Sequence, residues 1–229
     1  MPRRSHPQTA FEFRTWGGKR KNAGRKPVGR FAGAKHVARP SIDRHAPLHL
    51  TMRIARGVPS LRAERLIRLL RHAFHLGRER FGFRLVQYAV QPDHLHLLVE
   101  AEDAQALGRG ARALSIRIAK RLNHFLGRTG KVFAERYHAR SLSSPRQVRN
   151  ALAYVLLQER RHAAKRRSGL STKPDSFSSA PLFDGFVATR PRAGPWTGTV
   201  VPAATWLLRA GWRRHGKINR AEIPGSLDG

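Results

Sequence analysis

Two runs of strand character, Phe83–Val90 and His94–Glu100, are separated by only Gln91-Pro92-Asp93. So short a turn joins them as an antiparallel hairpin. The second run carries His94-Leu95-His96, and on a strand that spacing turns both imidazoles to one face while Leu95, Leu97 and Val99 take the other. Two imidazoles on one face can hold a divalent metal, and they can equally be half-buried side chains that cover a sheet. The surrounding sequence has to decide between these.

Upstream, Pro47–Ile54 alternates into a strand, and Ser60–Arg80 places Leu66, Leu69, Leu70, Ala73 and Phe74 at helical spacing. Downstream, Asp103 caps a helix whose stripe is Leu107, Ala111, Leu114, Ile118, Leu122 and Phe125, ended by Gly127 and Gly130. Lys131–Ser141 is predicted as a fourth strand, and Ser144-Pro145 opens a last helix in cap-then-proline order. The first six elements, strand-helix-strand-strand-helix-strand, make an α+β fold: a ferredoxin-like, antiparallel four-stranded sheet with helices on one face. The seventh is an extra C-terminal helix, and basic extensions flank the whole.

Forty-five Lys and Arg against fourteen Asp and Glu leave a formal net charge of +31. The excess is spread along the chain: twelve basic and two acidic residues over 1–44, twenty-two and eight over 45–164, eleven and four over 165–229. A body that is positive throughout faces a polyanion, and nucleic acid is the natural partner. With no apolar run of about 18 residues, a membrane is not expected to be one. The absence of cysteine rules out disulfides, thiolate zinc sites and cysteine nucleophiles, and the N-terminus lacks the apolar stretch of a secretory signal, so a cytoplasmic, nucleoid-associated protein is expected.

Three regions follow. Residues 1–44 read as a basic, extended DNA-binding arm in which Gly24-Arg25-Lys26-Pro27 suits a minor groove, a solvating tail being the alternative. Residues 45–165 hold the folded domain. Residues 166–229 read as a partly helical appendage, helical over Thr205–Arg213, whose Trp206 and Trp212 suit a cover for the core, a DNA-touching helix being the alternative.

In the last helix Val148, Leu152, Val155 and Leu156 form the apolar stripe, while Tyr154 and, one turn later, Gln158 share a flank. A His-hydrophobic-His strand followed by a helix with Tyr-x-x-x-Gln resembles the single-tyrosine HUH transposases of the insertion sequence 200-like superfamily. Gln91-Pro92-Asp93-His94-Leu95-His96-Leu97-Leu98-Val99 is similar to that family's Met-Pro-Asn-His-Val-His-Leu-Leu-Val, and Gly130-Lys131-Val132-Phe133 with Arg136-Tyr137-His138 is similar to its Gly-x-Val-Trp…Arg-Tyr-His strand. The resemblance covers about residues 46–165. The basic arm resembles the one found in REP-associated tyrosine transposases, a branch acting on palindromic repeats. Two departures stand out: Asp93 where asparagine is commoner, and no Asn-Pro after Tyr154, where Gln158 instead resembles the insertion-sequence members.

The resemblance implies His94, His96 and Gln158 as ligands of Mg²⁺ or Mn²⁺ and Tyr154 as the nucleophile on a DNA phosphate. It also implies a 5′-phosphotyrosine, a free 3′-hydroxyl, and single-stranded DNA beside a hairpin as the substrate. Such a metal supplies what a phenol lacks at neutral pH, since tyrosine ionises only near ~10. Arg109, Arg112, Arg117 and Arg121 lie mostly off the apolar stripe of their helix and are candidates for gripping the DNA backbone. A monomer and a homodimer both stay open, as does a domesticated protein that binds hairpins without cutting. A histidine-triad hydrolase would need a third histidine at position 98, where the chain has Leu98, and a zinc hydrolase would need more ligands than Asp93 and Glu100 can add.

Overall fold

The computed structural model describes residues 42–187, 194 and 197–225. The arm residues Arg25 and Lys26 and the tryptophan at position 196 lie outside them. The hydrophobic alternation of the first strand builds β1 (Leu48–Arg53), and the helical stripe after it builds α1 (Glu64–Gly77). A two-residue strand, β2 (Glu79–Arg80), then turns through Phe81 and Gly82, both at positive φ (57° and 73°), into β3 (Phe83–Val90). Two consecutive left-handed residues match the right-handed twist of a tight hairpin, and Gly82 takes that conformation without a steric cost. β4 (His94–Ala101) pairs back on β3, and α2 (Ala104–Phe125) starts at Asp103, whose side chain accepts from the Ala106 amide.

The sheet order is β2-β3-β4-β1-β5, with every neighbouring pair antiparallel and β5 spanning His138–Ser141. The four longer strands have the expected ferredoxin-like arrangement, and β2 adds a short fifth strand at the edge. Leu48, Leu50 and Met52 of β1 and Leu95, Leu97 and Val99 of β4 form one core with α1 and α2. α2 comes so close to the sheet that a Cβ at Gly110 would lie 2.2 Å from the Phe83 Cβ, so this contact needs glycine.

The predicted fourth strand is shorter than Lys131–Ser141. The chain leaves β1 after Ile54 through Gly57 (φ 83°), so residues 131–137 meet only the end of β1, through an isolated Ile54–Phe133 bridge. The last helix is also broken. α3 (Pro145–Leu156) stops at Leu157 (φ −111°, ψ 21°) and α4 (Gln158–Lys165) restarts there.

α3 lies on the other face of the sheet, where Val86, Ala89 and Leu98 meet Val148, Leu152 and Val155. The segment after residue 165 is no free appendage. Phe183, Phe186, Leu208, Trp212 and Ile218 complete this second core, whereas Trp206 stays 46 % exposed and covers none of it. The helix there is shorter than Thr205–Arg213: α5 (Trp206–Arg209), capped by Thr205, runs into a 3₁₀ turn over Gly211–His215. Among the described residues no helix is long and apolar enough to cross a membrane.

Candidate active site

Strand register assembles the site. Thr51 pairs with His96 and Arg53 with His94, while His49 lies opposite Leu98, so His49, Thr51, His94 and His96 share the face turned away from α1 and α2. His94 Nε2 and His96 Nε2 are 3.0 Å apart. Each ring is held from behind: Asp93 Oδ1 lies 2.7 Å from His94 Nδ1, and His49 Nε2 lies 3.1 Å from His96 Nδ1. Hydrogen bonding to His94 keeps the Asp93 carboxyl below the usual carboxylate range. An ionised Asp93 therefore accepts from Nδ1–H of His94 and leaves its Nε2 lone pair free, the arrangement found behind metal-bound imidazoles.

The break at Leu157 turns α4 toward the strand. Gln158 is 2 % exposed, and its amide nitrogen lies 3.4 Å from His96 Nε2 and 3.3 Å from His162 Nε2. Arg62 helps hold α4 in this position, clasping Asp175 at 2.9 and 3.0 Å and reaching Glu159 at 3.3 Å. Among the described residues Gln158 Oε1 is buried without a hydrogen-bond partner. The oxygen and nitrogen of an amide are exchangeable by a flip, and the flipped amide turns its carbonyl to the two imidazoles. Among the described residues no three His, Cys, Asp or Glu form a metal cluster; beside His94 and His96 the site offers an amide instead. Ligands about 2.1 Å from one octahedral ion and at right angles to each other lie about 3 Å apart, so the His94–His96 and His96–Gln158 spacings suit a shared divalent ion such as Mg²⁺ or Mn²⁺, with the flipped amide supplying an oxygen donor.

Burial, reinforced by the neighbouring His49 and His94, pushes His96 down to about 2, and partial burial lowers His162 as well. His96 is therefore neutral, the form that binds metal. The folded chain refuses a proton that the unfolded chain accepts below pH 6.5, so stability is full above that value and falls as the pH drops beneath it, by on the order of 1.4 kcal/mol per unit. Urea midpoints between pH 6.5 and 4.5 should fall less steeply for His96→Gln than for the unaltered chain, and parallel lines would refute this.

Tyr154 comes from α3 of the same chain. Its ring is edge-on to His96, with centroids 5.2 Å apart, and 6.0 Å from His49. Arg161 lies over the same ring, the guanidinium 5.0 Å from the ring centroid and Nη1 3.5 Å from the hydroxyl oxygen. The remaining tyrosines belong to the opposite face: Tyr88 is fully buried in the first core, where burial pushes its hydroxyl up, and Tyr137 packs against that core.

The structure thus brings His94, His96, Tyr154 and Gln158 together, but not the four arginines. Arg109, Arg112, Arg117 and Arg121 sit on α2, across the sheet from the histidines. Arg117 lines a cavity of about 560 Å³ with Arg78 and Arg80. The arginine assignment rested on the helical stripe, which says which residues face outward but not which side of the sheet the helix covers. On the histidine face, strand pairing instead places Arg53, and opposite β1 also His138 and Arg140. Sequence reasoning passed over His49, Arg161 and His162. His49 had a signal, since it alternates with Leu48, Leu50 and Met52, whereas Arg161 and His162 depend on the break at Leu157.

A family model of IS200-like transposases matches residues 45–158. Among solved structures, the chain is similar to a REP-associated tyrosine transposase bound to a REP hairpin, at 17% identity and a TM-score of 0.46, over 64% of this chain and 82% of that one. It is also similar to a candidate transposase from Deinococcus radiodurans R1, at 15% identity and a TM-score of 0.37, over 59% of this chain and 98% of that one. No curated protein matches the sequence.

Proposed function

This chain belongs to the IS200-like transposases through its residues 45–158, and on that premise we propose that it cleaves and rejoins single-stranded DNA beside hairpin-forming repeats through a phosphotyrosine on Tyr154. The observation that carries the reading is the meeting, within one chain, of Tyr154 and Gln158 with two histidines some sixty residues earlier. Packing alone does not call for a buried amide between two imidazoles.

His94, His96 and Gln158 would hold Mg²⁺ or Mn²⁺, which when bound polarises a phosphate oxygen and offsets its charge. Asp93 and His49 fix the two ring orientations. The Tyr154 hydroxyl oxygen attacks phosphorus and the P–O3′ bond breaks; the upstream fragment leaves with a free 3′-hydroxyl while the downstream fragment stays on Tyr154 through its 5′-phosphate. A later 3′-hydroxyl reverses the step and joins new ends without ATP. The charge of +31 supports DNA as the partner, with the basic arm including Arg25 and Lys26 as a further contact, on nucleoid DNA in the cytoplasm. The α2 arginines, on the far face, would meet only DNA that wraps around the domain.

The test is covalent capture of a single-stranded oligonucleotide that carries a hairpin. Adducts should form with Mg²⁺ or Mn²⁺, vanish with chelator, and fall at least about 100-fold in His94→Ala and His96→Ala. Adducts of equal yield in chelator would overturn the metal assignment. Hairpin binding without any adduct would mark a silent, domesticated binder instead.

A further inference from the structure

We propose that Arg161 is a second catalytic residue of this site, stabilising the negative charge that gathers on the Tyr154 oxygen as it joins and leaves phosphorus; the proposal rests on the phosphotyrosine reading above. Arg161 Nη1 is 3.5 Å from that oxygen, and the guanidinium stacks over the same ring at 5.0 Å. The phenol thus has two neighbours, the His96 ring with its centroid 5.2 Å away and a permanent cation over its face.

Arg161 is bound differently from the arginines that tie the fold together through ion pairs. Arg62, Arg84, Arg149 and Arg213 each meet a carboxylate, respectively Asp175, Glu79 and Glu100, Glu222, and Asp184. Among the described residues no carboxylate lies within ion-pair distance of Arg161, and its side chain is only half-buried. A guanidinium with no anion of its own, beside a phenol and a set of metal donors, offers its N–H groups to an anion that arrives with the substrate. Its backbone anchors it there: the Arg161 amide donates to the Leu157 carbonyl at 3.1 Å, so the break that points Gln158 at the histidines also points Arg161 at Tyr154.

In the forward step the tyrosine O–P bond forms and the P–O3′ bond breaks. The phenolic proton goes to solvent, and the departing 3′-oxygen takes one from solvent, so the balance is a proton moved from Tyr154 to the 3′-hydroxyl. Arg161 cannot accept that proton, because a guanidinium stays charged. Its part is electrostatic: N–H donors fixed beforehand beside the oxygen on which charge develops. The same oxygen is the leaving group when a 3′-hydroxyl attacks the phosphotyrosine. Arg161 therefore speeds cleavage and rejoining alike and leaves their equilibrium where it was.

The experiment measures single-turnover adduct formation by the full-length protein with Mn²⁺ and a hairpin-bearing single strand, then rejoining of the isolated adduct by a strand with a free 3′-hydroxyl. Arg161→Ala is expected to slow both steps by the same factor, about 10²–10³-fold. The ratio of cleaved to intact DNA at equilibrium should stay within about twofold, and oligonucleotide affinity measured in a Tyr154→Phe background within about threefold. Guanidinium ion added to Arg161→Ala should restore part of both rates where ammonium does not, and Arg161→Lys should retain more activity than Arg161→Ala. Arg161→Gln carries the same comparison should the alanine variant fail to fold. Rates within threefold of the unaltered chain, a loss in only one direction, or a loss matched by weaker DNA binding would overturn the role. Absence of adducts with the unaltered chain would remove the phosphotyrosine reading, and this role with it; adducts undiminished by loss of Arg161 would remove this role alone.

Discussion

Tyr154→Phe is expected to abolish covalent DNA adducts while leaving affinity for a hairpin-bearing single strand within about twofold. The change removes one oxygen and keeps the ring, so the edge contacts with His96 and His49 and the stacking with Arg161 survive. No other tyrosine can take over: Tyr88 is sealed in the core beneath α1 and α2, and Tyr137 packs against that same core. Loss of a covalent nucleophile costs several orders of magnitude in rate, enough to take the adduct below detection in a gel assay. Adducts of undiminished yield would show that the nucleophile lies elsewhere and would sink the assignment of the site.

The second large effect concerns stability. Trp212→Ala should destabilise the fold by about 3–5 kcal/mol, the usual cost of emptying a buried aromatic site, which at roughly 2–4 °C per kcal/mol for a chain of this size lowers the melting temperature by about 6–20 °C. Trp212 is 1 % exposed, stacks at 5.5 Å on Phe183, and donates from Nε1 to the Leu208 carbonyl at 3.0 Å. It closes against Gly185, where a Cβ would meet the indole at 2.3 Å. Ending the chain after Lys165 should be more severe, because it strips Phe183, Phe186, Leu208, Trp212 and Ile218 from the second core at once. Since α3 carries Tyr154, the same truncation should also disperse the site. Differential scanning calorimetry of the point variant checks the first effect, and a shift of less than 2 °C would contradict it. A folded, adduct-forming chain that ends at residue 165 would contradict the second.

The two predictions fall on different parts of the molecule, and the difference follows how each was encoded. The period-2 pattern of β1 and β4 and the 3.6-residue stripes of α1 and α2 are local signals, so the strand-helix-strand-strand-helix-strand order could be read from the chain, as could the common face of His94 and His96. Tyr154 and Gln158 could be matched to them through Tyr-x-x-x-Gln and the family resemblance. The arginines of α2 show the limit of such reading. Their outward direction was legible, but the side of the sheet covered by α2 depends on how the whole domain packs, and it proved to be the side away from the histidines.

His49 marks the same limit from the other direction. Its alternation with leucines placed it on one face of β1, but only the register of β1 against β4, with Thr51 opposite His96, brings its ring to His96 Nδ1. The break at Leu157 had no signal at all, because Leu157 is a good helix former; burial of Leu157 in the second core and the hold of Arg62 on Glu159 and Asp175 accompany a turn that helical propensity would not make.

By itself, then, the sequence determined the elements, the common face of His94 and His96, the Tyr-Gln spacing and a charge suited to a polyanion, since periodicity, capping and composition act over a few residues or over the whole chain at once. Tertiary structure alone decided that Tyr154 meets the histidines of its own chain, that His49 and Arg161 join the site, and that the C-terminal segment roofs the second face. Those facts depend on strand register and on which apolar face finds which partner, and both are settled by contacts between residues far apart in the chain.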